Sequence, residues 1–229
     1  MGDYKILQIN LQHSKSAVKQ LSVDLSNDSD IVLACIQEPY AYKGKLSDFP
    51  LRMRRYHAIN NPKAAIIANS TGISILELHC SENVVAVLIG GTTPFILCSV
   101  YCPPSTPIEG TLNEISNIVH SYDTLSCVVS GDFNAKHSLW GPSYTDPRGL
   151  QVCDFLAATG FIVCNIPTSQ ATCLANNSES WIDLTLLKRT NSISITDWTV
   201  HDEITLSDHR KITFNIPLIS VFPRIPEIE

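Results

Sequence analysis

The sequence predicts a mixed or antiparallel α/β protein rather than a doubly wound parallel sheet. Three observations carry that expectation. Short runs rich in Val and Ile, bounded by Gly, Pro, Asn or Ser, outnumber the helical patterns. Several of these runs follow one another with no helix between them. Five of them end on a polar residue able to handle phosphate or metal: Asn10, Glu38, Tyr101, the pair Asp132 and Asn134, and Asp183. Side chains at strand ends escape the core while the backbone below them stays fixed, which is how sheets assemble active sites.

Taken in order, strands are expected over Lys5 to Asn10, Ile31 to Gln37, Ala64 to Asn69, Ile73 to Leu78, Val84 to Ile89 and Phe95 to Tyr101. Further runs lie at Cys127 to Asp132, Phe161 to Cys164, Trp181 to Leu187, Ser194 to Val200 and Ile212 to Ile216. The first helix begins after Ser14, with Ala17, Val18, Leu21 and Leu25 on one face. A second spans Thr111 to Tyr122, with Leu112, Ile115, Ile118 and Val119 inward. A third runs from Arg148 to Thr159, with Pro147 before it and Gly160 just past its end. No repeat or interior linker breaks this order, so residues 1–220 read as one domain. Residues 221–229 form a proline-punctuated tail expected to lead out of it.

With 229 residues, 44% of them hydrophobic and 17% charged, the chain can bury a sizeable core. No apolar stretch approaches the roughly 20 residues of a membrane span. Met1-Gly2-Asp3-Tyr4-Lys5 lacks the basic-then-apolar order of a signal peptide. A soluble, intracellular protein with no membrane partner is expected. The eight cysteines sit mostly in apolar contexts such as Leu33-Ala34-Cys35-Ile36, with no CxxC pair, and read as reduced core fillers. A net charge of −6 argues against a nucleic-acid partner. Yet Lys43, Lys45, Arg52, Arg54, Arg55 and Lys63 crowd a segment whose single acid is Asp48. That segment fits either a solvated loop or a phosphate-facing patch. Acids that hold a metal also lower the net charge without repelling DNA once the metal is bound.

The string Ser130-Gly131-Asp132-Phe133-Asn134 follows Cys127-Val128-Val129. Alternation puts Ser130, Asp132 and Asn134 on one face and turns Phe133 into the core. An acid and an amide so spaced can engage a water and a phosphoryl oxygen together. The same string also reads as a Gly-Asp turn with Asn134 in an Asx motif. Asp183 lies opposite Ile182, Leu184 and Leu186, and a mid-strand carboxylate on a covered face needs a partner. His209, in Ser207-Asp208-His209, is the candidate; Asp183 would orient its imidazole and favour its charged form. Each string alone has a plain alternative: a turn before the last strand, an Asx turn at Asn10, a solvated strand end at Glu38, a half-buried aromatic at Tyr101. Their order along the chain is the stronger signal.

That order resembles the exonuclease–endonuclease–phosphatase family of metal-dependent phosphoesterases over nearly the whole chain. The resemblance implies an α/β fold of four layers, two facing mixed or antiparallel sheets flanked by helices. It also implies a divalent ion, magnesium, for which manganese can substitute. Glu38 would be the main ligand, with Asp208 nearby and Asn10 fixing its surroundings; oxygen donors suit that hard ion. Asp132 would activate the attacking water and Asn134 hold a phosphate oxygen. Tyr101 and His209, braced by Asp183, would stabilise phosphoryl charge, and Asp132 and His209 could exchange the role of base.

Within the family, local strings are most similar to the endonuclease domains of non-LTR retrotransposons, above all arthropod elements that insert at preferred sites. These strings are Gln8-Ile9-Asn10-Leu11-Gln12, Gln37-Glu38-Pro39-Tyr40, Pro62-Lys63-Ala64-Ala65-Ile66, Asn134-Ala135-Lys136-His137 with Trp140-Gly141, and Ser207-Asp208-His209-Arg210. Repair enzymes of the family carry a second acid where Gln12 stands, which weighs against the alternative of abasic-site repair; a phosphatase is the other alternative. The resemblance implies a nuclear enzyme that nicks one strand of double-stranded DNA. The 3′ hydroxyl left behind primes a downstream reverse transcriptase domain of the same polyprotein. Thr172, Ser207, Asn176, Asn177, Arg54, Arg55 and Lys63 would contact the DNA. The hairpin tip at 174–180, otherwise a plain exposed turn, would tune the target, since phosphate chemistry reads no sequence.

Overall fold

The computed structural model describes residues 3–217 except 47, 71, 143, 176, 191 and 192. The chain begins with β1 (Tyr4–Asn10), α1 (Lys15–Asn27), β2 (Ile31–Gln37), β3 (Ala41–Tyr42), β4 (Lys45–Leu46), β5 (Arg54–His57) and β6 (Ala64–Ala68). It continues with β7 (Ile75–Cys80), β8 (Val84–Ile89), β9 (Phe95–Tyr101), α2 (Glu109–Ser121), β10 (Ser126–Asp132) and α3 (Pro147–Thr159). Last come β11 (Ile162–Val163), β12 (Cys173–Ala175), β13 (Ser178–Ser180), β14 (Asp183–Lys188), β15 (Thr196–Val200) and β16 (Ile212–Ile216).

Two six-stranded mixed sheets result, ordered β15-β16-β1-β2-β6-β5 and β11-β14-β10-β9-β8-β7. Each holds one parallel pair at its centre, β1 with β2 and β9 with β10, and its other neighbours are antiparallel. A parallel pair needs a crossover, and α1 and α2 supply them. Ile6, Leu33, Val85, Leu97, Val128 and Phe214 form a core between the sheets. α1 covers the outer face of the first sheet, and α2 and α3 cover that of the second. The four-layer sandwich is the expected fold.

This topology gathers the polar strand ends. β1, β2, β9 and β10 finish at one edge, where antiparallel β14 and β16 start. Across neighbouring strands Asn10 stands opposite Gln37, and Asp132 stands opposite both Tyr101 and Asp183. Just beneath, the facing surfaces change from apolar to polar. Ser130 Oγ donates to Gln8 Oε1 at 2.6 Å, and Gln37 Nε2 donates to Ser99 Oγ at 3.0 Å. These buried pairs tie the sheets together and so set the height of the edge above them.

The helix ends follow local chemistry. Ser14 Oγ accepts from Ala17 N, Asp146 caps α3 through Gly149 N, and Gly160 closes α3 at φ 77°. Pro147 is the first residue of α3 rather than the residue ahead of it. The sequence gives no warning of β5, whose paired arginines mask an edge strand, or of the small hairpin β3–β4. Residues 181 and 182 precede β14 instead of opening it, because Thr172 Oγ1 accepts from the N–H groups of Ile182 and Asp183, each at 3.2 Å. Asn176 and the tail 221–229 lie outside the described residues. No helix among the described residues is long and apolar enough to cross a membrane.

Gly131 carries a steric requirement that its motif alone does not reveal. A Cβ there would sit 1.9 Å from the carbonyl oxygen of Val100 on β9. Gly131→Ala must push β9 and β10 apart directly below Asp132, and is expected to cost about 2–3 kcal/mol. Gly110→Ala is the control: nothing lies within 4 Å of its added Cβ, and it sits in α2. That change should be neutral or stabilising by up to about 1 kcal/mol. Urea midpoints of the two variants check the contrast.

Candidate active site

Asn10 is the joint between the two sheets. Its Oδ1 accepts from Gln12 N at 2.8 Å, which aims the amide nitrogen into the site. Nδ2 then donates to Asp132 Oδ2 at 2.9 Å and to Glu38 Oε2 at 3.2 Å. Glu38 follows β2 in the left-handed conformation, φ 44°. Its backbone N–H is held by Lys63 O, and its carbonyl accepts from His13 N. That turn brings the carboxylate to the edge, where 19% of its side chain is exposed and His13 Nε2 lies 3.4 Å from Oε1. Tyr101 bonds to Glu38. Burial, then this bond and the charges of Glu38 and Asp132, push its phenol far above its usual range, so it remains a donor.

Asp132 is buried and densely bonded. Oδ1 accepts from Asn134 N at 2.9 Å, and Oδ2 accepts from Asn134 Nδ2 at 3.1 Å. Burial, followed by the nearby charge of Asp183, pushes its pKa up to about 7, against the pull of His209 and the hydrogen bonds. His209 Nδ1 lies 2.9 and 3.1 Å from the two oxygens of Asp183, while Nε2 faces Asp132 Oδ2 at 4.0 Å. Burial alone would lower this imidazole's pKa. The charge and hydrogen bond of Asp183 outweigh it, and the ring is held well above the ordinary histidine value. Nδ1–H is thus committed to Asp183, and Nε2–H is presented to the site.

Ligand atoms of Asp132, Asp183 and His209 lie within 4.8 Å of one another, a composition that could hold a metal. Within the trio only His209 and Asp183 are at hydrogen-bond distance, while Asp132 stands 4.0 Å from His209 Nε2. Glu38 offers a partly exposed carboxylate, a donor of the kind a hard cation accepts, with the Asn10 amide nitrogen, His13 Nε2 and Tyr101 around it. Asp208 is exposed; its Oδ2 accepts from Gln12 Nε2 at 3.1 Å, and its N–H donates to Gln12 Oε1 at 2.8 Å. Gln12 therefore braces Asp208 against the end of β1. Ser207 does the same for His209, donating to Asn10 O at 2.7 Å and accepting from His209 N at 3.2 Å.

Some residues expected to touch DNA lie elsewhere. Thr172 is fully buried, with its hydroxyl spent on the backbone that carries Asp183, so it is a positioning residue instead. Arg54 stands level with Ala68 and Leu33, four residues back from Gln37. At strand rise that is roughly 13 Å from the polar edge. Its guanidinium donates to Ile73 O, and that of Arg55 donates to Phe49 O and Pro50 O. These arginines hold backbone in place and are not brought to the site. Lys63 does lie beside Glu38, with its ammonium 2.6 Å from Glu82 Oε1. Asn177 sits at the tip of the β12–β13 hairpin in the left-handed conformation, φ 59°.

Sequence reasoning missed Arg148, in the first turn of α3. It donates to four backbone carbonyls: Cys102, Thr106, Phe133 and Asn134. One side chain thereby ties the segment after β9 to the segment after β10, behind Tyr101, Asp132 and Asn134. An arginine at a helix start carries no such message in one dimension. The only local hint was its place right after the capping Asp146-Pro147.

The fold and these strings have known counterparts. Residues 95–213 match the family described as endonuclease-reverse transcriptase. A 115 kDa protein of the type-1 retrotransposable element R1DM of Drosophila melanogaster is 24% identical over 221 residues, covering 92% of this chain and 21% of the relative. An RNA-directed DNA polymerase from the transposon X-element of the same organism is 29% identical over 99 residues, 41% of this chain and 10% of the relative. The chain thus spans a minor part of the curated relatives it matches. Among solved structures, the endonuclease domain of TRAS1, a telomere-specific non-LTR retrotransposon, superposes with a TM-score of 0.84 at 28% identity, covering 94% of this chain and 99% of that one. The AP endonuclease LMAP from Leishmania major shares the fold, with a TM-score of 0.71 at 12% identity over 95% of this chain and 89% of that one. With more than half of its length matched by one family model and its whole sandwich matched by a retrotransposon nuclease domain, the chain belongs to the endonuclease-reverse transcriptase family.

Proposed function

We propose that residues 1–220 are the endonuclease domain of a non-LTR retrotransposon polyprotein, with 221–229 leading on to a downstream reverse transcriptase. In this reading the domain acts in the nucleus on double-stranded DNA. It nicks one strand and leaves a 3′ hydroxyl that primes reverse transcription. The observation that carries the reading is the Asn10 amide, which bonds to Glu38 on one sheet and Asp132 on the other, with His209 Nε2 beyond Asp132. A phosphodiester laid across that edge would meet an acid, a base and a cation within one small area.

Glu38 would hold a magnesium ion, with Asp208 tied to the same strand end through Gln12; manganese would substitute. When bound, that ion neutralises charge on the phosphate and on the leaving 3′ oxygen. Asp132, kept in line by Asn10 and Asn134, takes the proton of the attacking water. Its raised pKa makes it a better base than a solvated carboxylate. His209, charged and locked by Asp183, donates Nε2–H to a non-bridging phosphoryl oxygen. Asn134 and the protonated Tyr101 would be the neutral donors to the same group, turning to it from the bonds they make to Asp132 and Glu38 in the free protein. The phosphate remains on the new 5′ end of the downstream fragment.

Supercoiled plasmid incubated with the protein and magnesium is expected to become nicked circles, whose ends a polymerase extends without prior phosphatase treatment. Chelation with EDTA should abolish nicking, and added manganese should restore it. Ends that cannot be extended would sink the priming role. A strong preference for an abasic duplex, or for inositol phosphates, would move the chain to the repair or phosphatase reading.

A further inference from the structure

Leu206 combines two features that cost stability. Its φ is 57°, in the left-handed region that a branched, bulky side chain avoids. Its side chain is also 51% exposed, beside Ile204 at 86%, and the two share a cleft with Leu174 at 41%. This cleft, of about 480 Å³, ends on Ser207, Asp208 and His209. Apolar groups on the rim of so polar a site need a reason.

The loop that carries them is firmly held. Thr205 Oγ1 donates to Ser207 O at 3.1 Å and to His209 O at 2.7 Å, closing the turn around Leu206. Across the cleft, Leu174 N donates to Asp208 O at 2.7 Å, so both apolar lips are rooted on the backbone that positions His209. Two of the three acids along the rim are paired with cations, Asp202 with Arg210 at 2.9 Å and Glu203 with Lys211, while Asp208 accepts from Gln12. Their pairing weakens the repulsion that a nucleic-acid backbone would otherwise meet there. A strained residue held this tightly at a site's edge points to function.

We propose that Leu206, with Ile204 and Leu174 beside it, is an apolar wedge that enters the duplex next to the scissile phosphate and unstacks one base step. This rests on the reading of the site as a DNA nuclease. Apolar side chains inserted between base pairs kink DNA, and the cost is lowest at flexible pyrimidine–purine steps. The wedge would therefore select nick positions by deformability, without a hydrogen bond to any base. It would also lift the phosphate toward His209, which lines the cleft, and toward Asp132, 4.0 Å beyond its Nε2.

Leu206→Gly tests this, because glycine accepts φ 57° without strain while removing the side chain. The thermal midpoint of the variant should equal or exceed the parent's. Its nicking of perfect duplex should fall at least about tenfold. A mismatch at the cut step, already unstacked, should restore most of that loss, and the map of nicks on plasmid should lose its bias toward pyrimidine–purine steps. Ile204→Ala should shift rate and map in the same direction, more weakly. Parent-like rate and map for Leu206→Gly, or no rescue by the mismatch, would overturn the wedge. A parent protein that nicks no DNA at all would instead overturn the nuclease reading on which the wedge depends.

Discussion

His209→Ala is expected to lower the single-turnover nicking rate by about 10²- to 10³-fold, and Asp132→Ala by about 10³-fold or more. The reasons differ. His209 supplies a charged donor that is already oriented before substrate arrives, because Asp183 grips Nδ1 at 2.9 Å and both groups are buried. Removing the ring deletes that donor. It also leaves the Asp183 carboxylate without its cation, which costs stability as well as rate. Asp132 is bonded to Asn10 and Asn134 and also faces His209, so its loss removes the base and loosens the residues around it.

The double variant separates chemistry from folding. Apart from the charge it exerts on Asp132, Asp183 acts through His209, so adding Asp183→Asn to His209→Ala should cost far less rate than it does in the parent and should recover part of the lost stability. The corresponding measurements are plasmid nicking under single-turnover conditions and urea midpoints for all four proteins. If the two losses in rate multiplied, Asp183 would have a role of its own and the pairing assigned to it would be wrong.

Arg148→Met should produce the largest effect outside the reacting groups. The variant leaves the carbonyls of Cys102, Thr106, Phe133 and Asn134 without their guanidinium donor, three of these bonds being at least partly buried. Stranded acceptors of that kind put the cost at about 2–3 kcal/mol. For a chain of this size that lowers the thermal midpoint by roughly 5–10 °C. The activity loss should exceed what stability explains. Asn134 is held at φ 47° with its carbonyl on Arg148, and its amide is what steadies Asp132. Assayed well below the midpoint, kcat should fall about 10- to 100-fold with KM nearly unchanged. Arg148→Lys should restore little, since an ammonium cannot reproduce the planar fork. A variant whose kcat recovers fully at low temperature would reduce Arg148 to a purely structural brace.

Read in one dimension, the chain declared its strands through Val and Ile runs and its helices through Ser14, Asp146, Pro147 and Gly160. Such signals operate over a few residues, so no tertiary contact was needed to see them. Alternation also set Asp132 apart from Phe133 and Asp183 apart from Ile182, Leu184 and Leu186, and the order of the polar strand ends carried the family. What the sequence could not reveal was which side chains each residue would meet. Asn10 and Asp132 are 122 positions apart, and only the two parallel pairs, aligned across the sandwich, bring them within 2.9 Å. Long-range contacts likewise turned Thr172 inward, spent Arg54 and Arg55 on backbone carbonyls, recruited Arg148 to the site and left Leu206 strained at its mouth. A polar residue's local string records its chemistry, but whether it binds substrate or braces a loop depends on neighbours supplied by distant strands.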